Sequence, residues 1–329
     1  MSMITLTGLG RDMQGFLAFK RALGRPYQRA ELMLRSFQRF AQAYANKAGK
    51  RRGGKKRISL EGVIRAWLSR PSVRKPVTAG LELGLLRHLC LYRRRRDRGG
   101  FVPEQAWAPQ TESPFSPYVF SHAEIRQLLD AASRHRGRNI WAGVLRTLLL
   151  VLYCTGLRFG EAVRLRMCDV DLEKRVLFIR ESKGKSRVVP FGTDLAGELR
   201  TYLRDRTSIV RASAESPSDA WFVRKNGRPL TLKTASEAVR RLLRSQGLKP
   251  KTGRTGPRPY DVRHAFAVHR LTDWNRKGLD VHARLPWLSA YMGHDNVLGT
   301  EVYLHATPEL LRLASRRFEK RFHETRRKQ

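Results

Sequence analysis

The sequence predicts a mostly α protein with one small β-sheet, arranged as two domains. Apolar residues recur at helical spacing through most of the chain. One stretch, near residues 176–191, switches to a period of two. A Pro- and Gly-rich segment from Gly99 to Pro117 breaks both patterns and separates residues 1–117 from 118–329. A chain of 329 residues is also long for a single core.

In the first domain, Phe16, Phe19 and Leu23, then Leu32, Leu34, Phe37, Phe40 and Ala41, predict helix over residues 13–46. A charged break follows from Lys47 to Arg57, with Gly53 and Gly54 in its middle. Two more helices fit Leu60–Leu68 and Val77–Tyr92. The second ends in a basic run, Arg93, Arg94, Arg95 and Arg96. With Lys50, Arg51, Arg52, Lys55, Lys56 and Arg57 it flanks a small helical unit, a placement that suits phosphate contact better than a merely solvated face.

The second domain opens on a capping-box pattern, Ser121 and Glu124, ahead of Ile125, Leu128, Leu129 and Ala132. A longer apolar helix runs from about Asn139 to Cys154, and Gly156 is placed to end it. Val176–Ile179 reads as a strand and Arg187–Phe191 as its partner, with the glycine-containing turn Ser182–Ser186 between them. Helices follow near Leu195–Arg206, Lys233–Gln246, Arg263–Trp274, Pro286–Met292 and Pro308–Phe322, and Trp221–Val223 fits a short strand.

Composition narrows the function. A net charge of +38 repels itself unless a polyanion is present, and nucleic acid is the usual one. An apolar content of 41% sets the chain apart from disordered basic tails. Cys90, Cys154 and Cys168 lack paired spacing, which fits a reducing cytoplasm rather than a disulfide or zinc framework. The N-terminus has no apolar segment of the signal-peptide kind, and the greasiest stretch, Val144–Cys154, is too short to span a bilayer. The expectation is a cytoplasmic, nucleoid-associated protein with no membrane contact. No histidine spacing suggests a metal site and no phosphate-binding loop implies ATP, so no cofactor is expected.

The remaining signal is a set of residues suited to one reaction. Arg158 lies in T-G-L-R-F-G-E, Lys183 in S-K-G-K-S-R, Arg263 in Y-D-V-R-H and His294 in M-G-H, with Tyr303 nine residues beyond. Two arginines, a lysine and a histidine can surround one phosphate, and a tyrosine can attack it. Arginine's planar fork holds two oxygens and keeps its charge, which suits the charge that grows on a phosphoryl group. At these positions the chain resembles the tyrosine recombinases, the phage-integrase family, over roughly Tyr118 to Leu311 and more weakly before it.

The resemblance implies a helical core-binding domain and a mixed α/β catalytic domain that clamp double-stranded DNA. Tyr303 then forms a 3′-phosphotyrosyl bond, and Arg158, Arg263 and His294 bind the phosphate. Lys183 protonates the leaving 5′ oxygen as general acid; Lys185 is its rival within the turn. Glu161 orients the cations, and His264 is mainly structural. The sequence departs from the family pattern at Tyr260, where a histidine is usual. A phenol can hydrogen-bond phosphate but does not shuttle protons near neutral pH, so base assistance is what this departure puts in question. The resemblance further implies a homo-oligomer on DNA, commonly a tetrameric synapse, with an accessory recombinase or a DNA-bending protein as a further partner. Integration and transposition of a mobile element are among the roles it allows. A type IB topoisomerase and a DNA-binding protein with a decayed site are the alternatives. The terminal helix from Pro308 is expected to join protomers.

Overall fold

A computed structural model of the chain describes residues 3–48, 57–70, 76–109, 117–137, 139–182, 185–212, 218–253 and 255–304, together with positions 312 and 315. Its backbone contacts divide into two compact units, Met1–Phe115 and Ser116–Gln329.

Among the described residues, the first unit is built on four α-helices. Strand β1 (Met3–Thr5) pairs antiparallel with β2 (Arg57–Ser59), Met3 opposite Ser59. Each strand feeds a helix through a hydroxyl cap. Thr5 accepts from the Gly8 N–H to start α1 (Leu6–Ala22), and Ser59 accepts from the Gly62 N–H to start α3 (Leu60–Ser69). Helices α2 (Gln28–Ala48) and α4 (Pro76–Arg94) complete the unit. Leu9, Phe16, Phe37, Val63, Ile64 and Leu86 fill its core.

Two expectations need correction here. The stretch read as helical over 13–46 is divided into two helices, because Gly24 turns left-handed (φ 73°) and Pro26 lacks the N–H a continuing helix would use. The first part of the segment expected as a linker, 99–117, is packed rather than extended. Phe101, Val102 and Trp107 pack on the core of the first unit, and the Arg65 guanidinium stacks 3.8 Å from the Trp107 ring.

The second unit centres on α6 (Ala142–Thr155), whose apolar surface packs against α5 (His122–Ser133), α8 (Thr193–Arg211) and α10 (Asp261–Arg276). The capping box at Ser121 and Glu124 forms as expected. A short helix α7 (Phe159–Val163) follows α6. The sheet then runs β3 (Val170–Asp171), β4 (Val176–Ser182) and β5 (Lys185–Pro190), antiparallel in that order, with Leu177 opposite Val189 and Ile179 opposite Arg187. Helices α9 (Leu232–Ser245), α11 (Val281–Met292) and α12 (Leu298–Glu301) complete it. Helix α11 starts before Pro286, because Asp280 caps it by accepting from the Ala283 N–H. Trp221 and Phe222 are buried, and instead of a strand the segment makes isolated bridges, Arg166 with Ala220 and Val223 with Pro229. The helix expected at Pro308–Phe322 lies outside the described residues, positions 312 and 315 excepted. Among the described residues, no helix is long and apolar enough to cross a membrane, and no group of three His, Cys, Asp or Glu could hold a metal ion.

Candidate active site

Arg158 is fixed from both sides. Helix α6 ends at Gly156, which adopts the left-handed conformation (φ 59°) that only glycine takes cheaply. A side chain there would also strike the Phe266 ring. Two residues on, Arg158 caps α7 with extended backbone. Its backbone N–H and its Nη1 donate to the two carboxylate oxygens of Glu161, at 2.9 and 2.8 Å.

Glu161 is nearly buried and is held from a second direction. Arg187, on β5, donates Nη1 and Nη2 to the same two oxygens at 3.1 and 2.8 Å. Arg187 also donates Nε to the Tyr291 carbonyl at 3.0 Å. One carboxylate therefore joins the hairpin, the Arg158 turn and the end of α11. Glu161 was expected to orient the cations, whereas Arg187 was not among the expected site residues. Its signal was weak: an arginine on the inward face of a strand, within an arginine-rich chain.

Arg263 is buried, 1% exposed, near the start of α10. It donates Nη1 to the Gly156 carbonyl at 2.7 Å and Nη2 to the Met292 carbonyl at 2.8 Å. Arg158 donates Nη2 to the next carbonyl, that of Gly293. The two arginines thus converge on consecutive residues of one turn. Gly293 is the left-handed cap of α11 (φ 71°), and the turn continues into His294. Nδ1 of His294 lies 2.7 Å from the Thr300 hydroxyl. Its ring stacks with that of Tyr303 at 6.3 Å and 26°.

Tyr303 is 2% exposed and belongs to the core formed by α10 and α11. Its hydroxyl lies 2.8 Å from Nδ1 of His264. Burial pushes the phenol up to about 12, against the pull of the Arg263 and Arg158 charges. Burial likewise holds the His264 imidazole down to about 4, so it is neutral at neutral pH. His264 is buried and hydrogen-bonded, as expected of a mainly structural histidine, and its partner is the phenol of Tyr303 itself. The contact spans 39 positions of sequence, and no local pattern announces it.

Tyr260 is 37% exposed and sets its ring edge-on to His264, centroids 5.0 Å apart. Lys183 follows β4 in sequence and lies outside the described residues, as do Lys50, Arg51, Arg52, Lys55 and Lys56; of Arg57 the backbone is placed, in β2. The second basic run is not uniform. Arg93 is largely buried in an ion pair with Asp12, 2.6 Å. The Arg95 guanidinium stacks 4.4 Å from Phe19, and Arg94 and Arg96 are exposed.

Residues 119–309 match the model of the phage integrase family. The integrase/recombinase y4rB of Sinorhizobium fredii is 33% identical over 95% of this chain and 97% of its own length. The tyrosine recombinase XerC of Lacticaseibacillus casei is 32% identical over 58% of this chain and 59% of its own. Among solved structures, the Tn1549 transposon integrase in complex with transposon right end DNA superposes with a TM-score of 0.63 at 15% identity, over 95% of this chain and 99% of that one. XerH bound to its palindromic difH substrate gives a TM-score of 0.63 at 18% identity, over 88% and 78%. The mostly α fold expected from the sequence is the fold of these structures, and the topoisomerase and decayed-site alternatives are not favoured. The arginine, histidine and tyrosine motifs, the matched domain and the full-length relative agree: this chain belongs to the phage integrase family, the tyrosine recombinases.

Proposed function

We propose that the protein is a site-specific DNA recombinase whose nucleophile is Tyr303. The observation that carries this reading is the Met292–Gly293–His294 turn. Arg263 and Arg158 donate to its first two carbonyls, and its histidine stacks on the ring of Tyr303. Two guanidinium groups and the Tyr303 ring are thereby gathered at one turn, which supports a phosphate bound beside its nucleophile.

In this reading Arg158, Arg263 and His294 bind the scissile phosphate, and Tyr260 offers it a further hydroxyl. Glu161 keeps Arg158 in place. Tyr303 displaces the 5′ oxygen, which takes its proton from Lys183, and a 3′-phosphotyrosyl bond stores the energy of the broken phosphodiester. A 5′ hydroxyl of a second duplex then attacks that bond. Residues 1–117 bind DNA through their basic runs, and residues 118–329 carry the chemistry. Four protomers on two sites exchange the strands; the relatives and neighbours include a transposon integrase and a lambda integrase tetramer bound to a Holliday junction. The work place is the cytoplasm, on the nucleoid.

Two labelled duplexes carrying the DNA that flanks the gene test this reading. Joints between the duplexes are expected. Relaxation of supercoiled DNA with no joint between duplexes would contradict it.

A further inference from the structure

A phenol attacks phosphorus only as its proton leaves, and that proton needs an acceptor. Where the resemblance would place a histidine, this chain has Tyr260, which does not take up protons near neutral pH. Arg158, Arg187 and Arg263 offer N–H donors and no acceptor for a proton. The Glu161 carboxylate is already engaged by Arg158 and Arg187.

One turn along α10 from Tyr260 stands His264, with Nδ1 2.8 Å from the Tyr303 hydroxyl. Its other nitrogen, Nε2, lies 3.7 Å from Oδ1 of Asp261. Asp261 is itself buried and fixed, accepting from the Arg258 side chain and from the Arg258 backbone N–H, each at 2.8 Å. A carboxylate beside Nε2 favours the tautomer with its proton there, which leaves the Nδ1 lone pair facing the phenol. It also stabilises the imidazolium that forms when Nδ1 takes a proton. Phenol, imidazole and carboxylate stand in the order of a nucleophile, its base and the group that orients the base.

We propose that His264 is the general base for Tyr303 and that Asp261 is its positioning residue. This rests on Tyr303 being the nucleophile. As the Tyr303 oxygen bonds to phosphorus, its proton passes to Nδ1 of His264. The bond from phosphorus to the 5′ oxygen breaks, and that oxygen takes a proton from Lys183. On rejoining, the incoming 5′ hydroxyl gives its proton to the lysine as it attacks. His264 returns its proton to the departing Tyr303 oxygen, and both groups are reset.

The surroundings suit a base that starts neutral. Burial, with the charges of Arg258 and Arg263, disfavours a proton on the resting imidazole, while Asp261 favours one. Tyr260 lies against the ring, and Tyr303 faces Nδ1. An arriving phosphodiester adds negative charge at the arginines and so makes protonation of the ring easier at the moment of attack.

The test is His264→Asn in the full chain. The asparagine amide can still hydrogen-bond the phenol but cannot carry its proton. Covalent attachment is timed on a nicked duplex of the gene-flanking DNA from pH 6 to 9. The native protein is expected to react at one rate across this range. The variant is expected to react about 10²–10⁴-fold more slowly and to gain about tenfold per pH unit as hydroxide replaces the base. Fluorotyrosine at position 303, a more acidic phenol, should restore much of the rate in the variant and change the native protein little. His264→Gln, read in the same way, serves should the asparagine variant not fold. A variant that attaches at the native rate with a flat pH profile would overturn the proposal, as would a loss that neither pH nor fluorotyrosine restores. Neither outcome touches the nucleophile, which Tyr303→Phe tests separately.

Discussion

Arg187 and Glu161 form a two-point ion pair across 26 positions of sequence, both guanidinium nitrogens meeting both carboxylate oxygens. The pair is nearly out of solvent, with side chains 13% and 3% exposed. Arg158 shares the same carboxylate, so a residue of the hairpin fixes the orientation of the arginine we propose as a phosphate ligand. A planar fork makes this arrangement; a lysine ammonium keeps the charge but meets only one oxygen well.

Arg187→Lys should therefore lower stability by about 1–3 kcal/mol, the worth of a hydrogen bond to a charged group, and slow covalent attachment more than it weakens DNA binding. Denaturant unfolding and the attachment rate check this. A variant with native stability and rate would show that Glu161 does not need its second arginine.

Gly156→Ala should cost about 2–4 kcal/mol, the sum of a left-handed alanine and an overpacked contact with Phe266. It should also displace Arg158 and Arg263, which flank or touch that residue. Gly197→Ala is the control. Gly197 lies inside α8 with open space around it, so alanine should stabilise by about 0.5–1 kcal/mol through helix propensity. Equal effects at the two positions would remove the case for a required glycine at 156.

The depressed imidazole of His264 predicts a pH dependence of stability. Its folded value is about 4 against an ordinary value of 6.5. Between these values the unfolded chain binds a proton that the folded protein refuses. The stabilisation is thus complete above pH 6.5 and is lost as pH falls toward 4, by no more than about 3 kcal/mol. Replacing His264 with Asn should flatten this part of the curve. An identical slope in both proteins would mean that the ring takes up its proton as readily in the folded protein as in the unfolded chain.

The basic run at the end of α4 should divide in two. Neutralising Arg94, Arg95 and Arg96 should flatten the dependence of log affinity on log salt, by about 0.9 for each phosphate no longer neutralised. Arg93→Gln should instead destabilise the first unit, since its partner Asp12 is left without its charge pair. A salt slope unchanged by the triple variant would mark the run as solvated surface.

Much of the fold was legible because its signals are local. The capping box at Ser121, the stop at Gly156 and the alternation through Val176–Ile179 each act within a few residues, and each appears where expected. What was missed depends on residues far apart in sequence. Strands β1 and β2 are three residues each and pair across more than fifty positions, so neither carries a readable pattern of its own. Pro286 read as a helix start because proline favours the first turn, but Asp280 supplied a stronger cap earlier. The site divides in the same way. The motifs around Arg158, Arg263, His294 and Tyr303 were visible as strings. The carbonyls of Met292 and Gly293 that gather the arginines, the Arg187 brace and the approach of His264 to Tyr303 exist only once the chain is folded.

The account turns on the oxygen of Tyr303, and covalent trapping tests it most directly. A nicked duplex of the gene-flanking DNA releases a short fragment on cleavage and leaves the protein attached, as a denaturing gel would show. The native protein should form the adduct, with the modified peptide containing Tyr303. Tyr303→Phe deletes one oxygen and should bind the same DNA with no adduct. An adduct that persists in that variant would contradict the account and move the nucleophile to another residue.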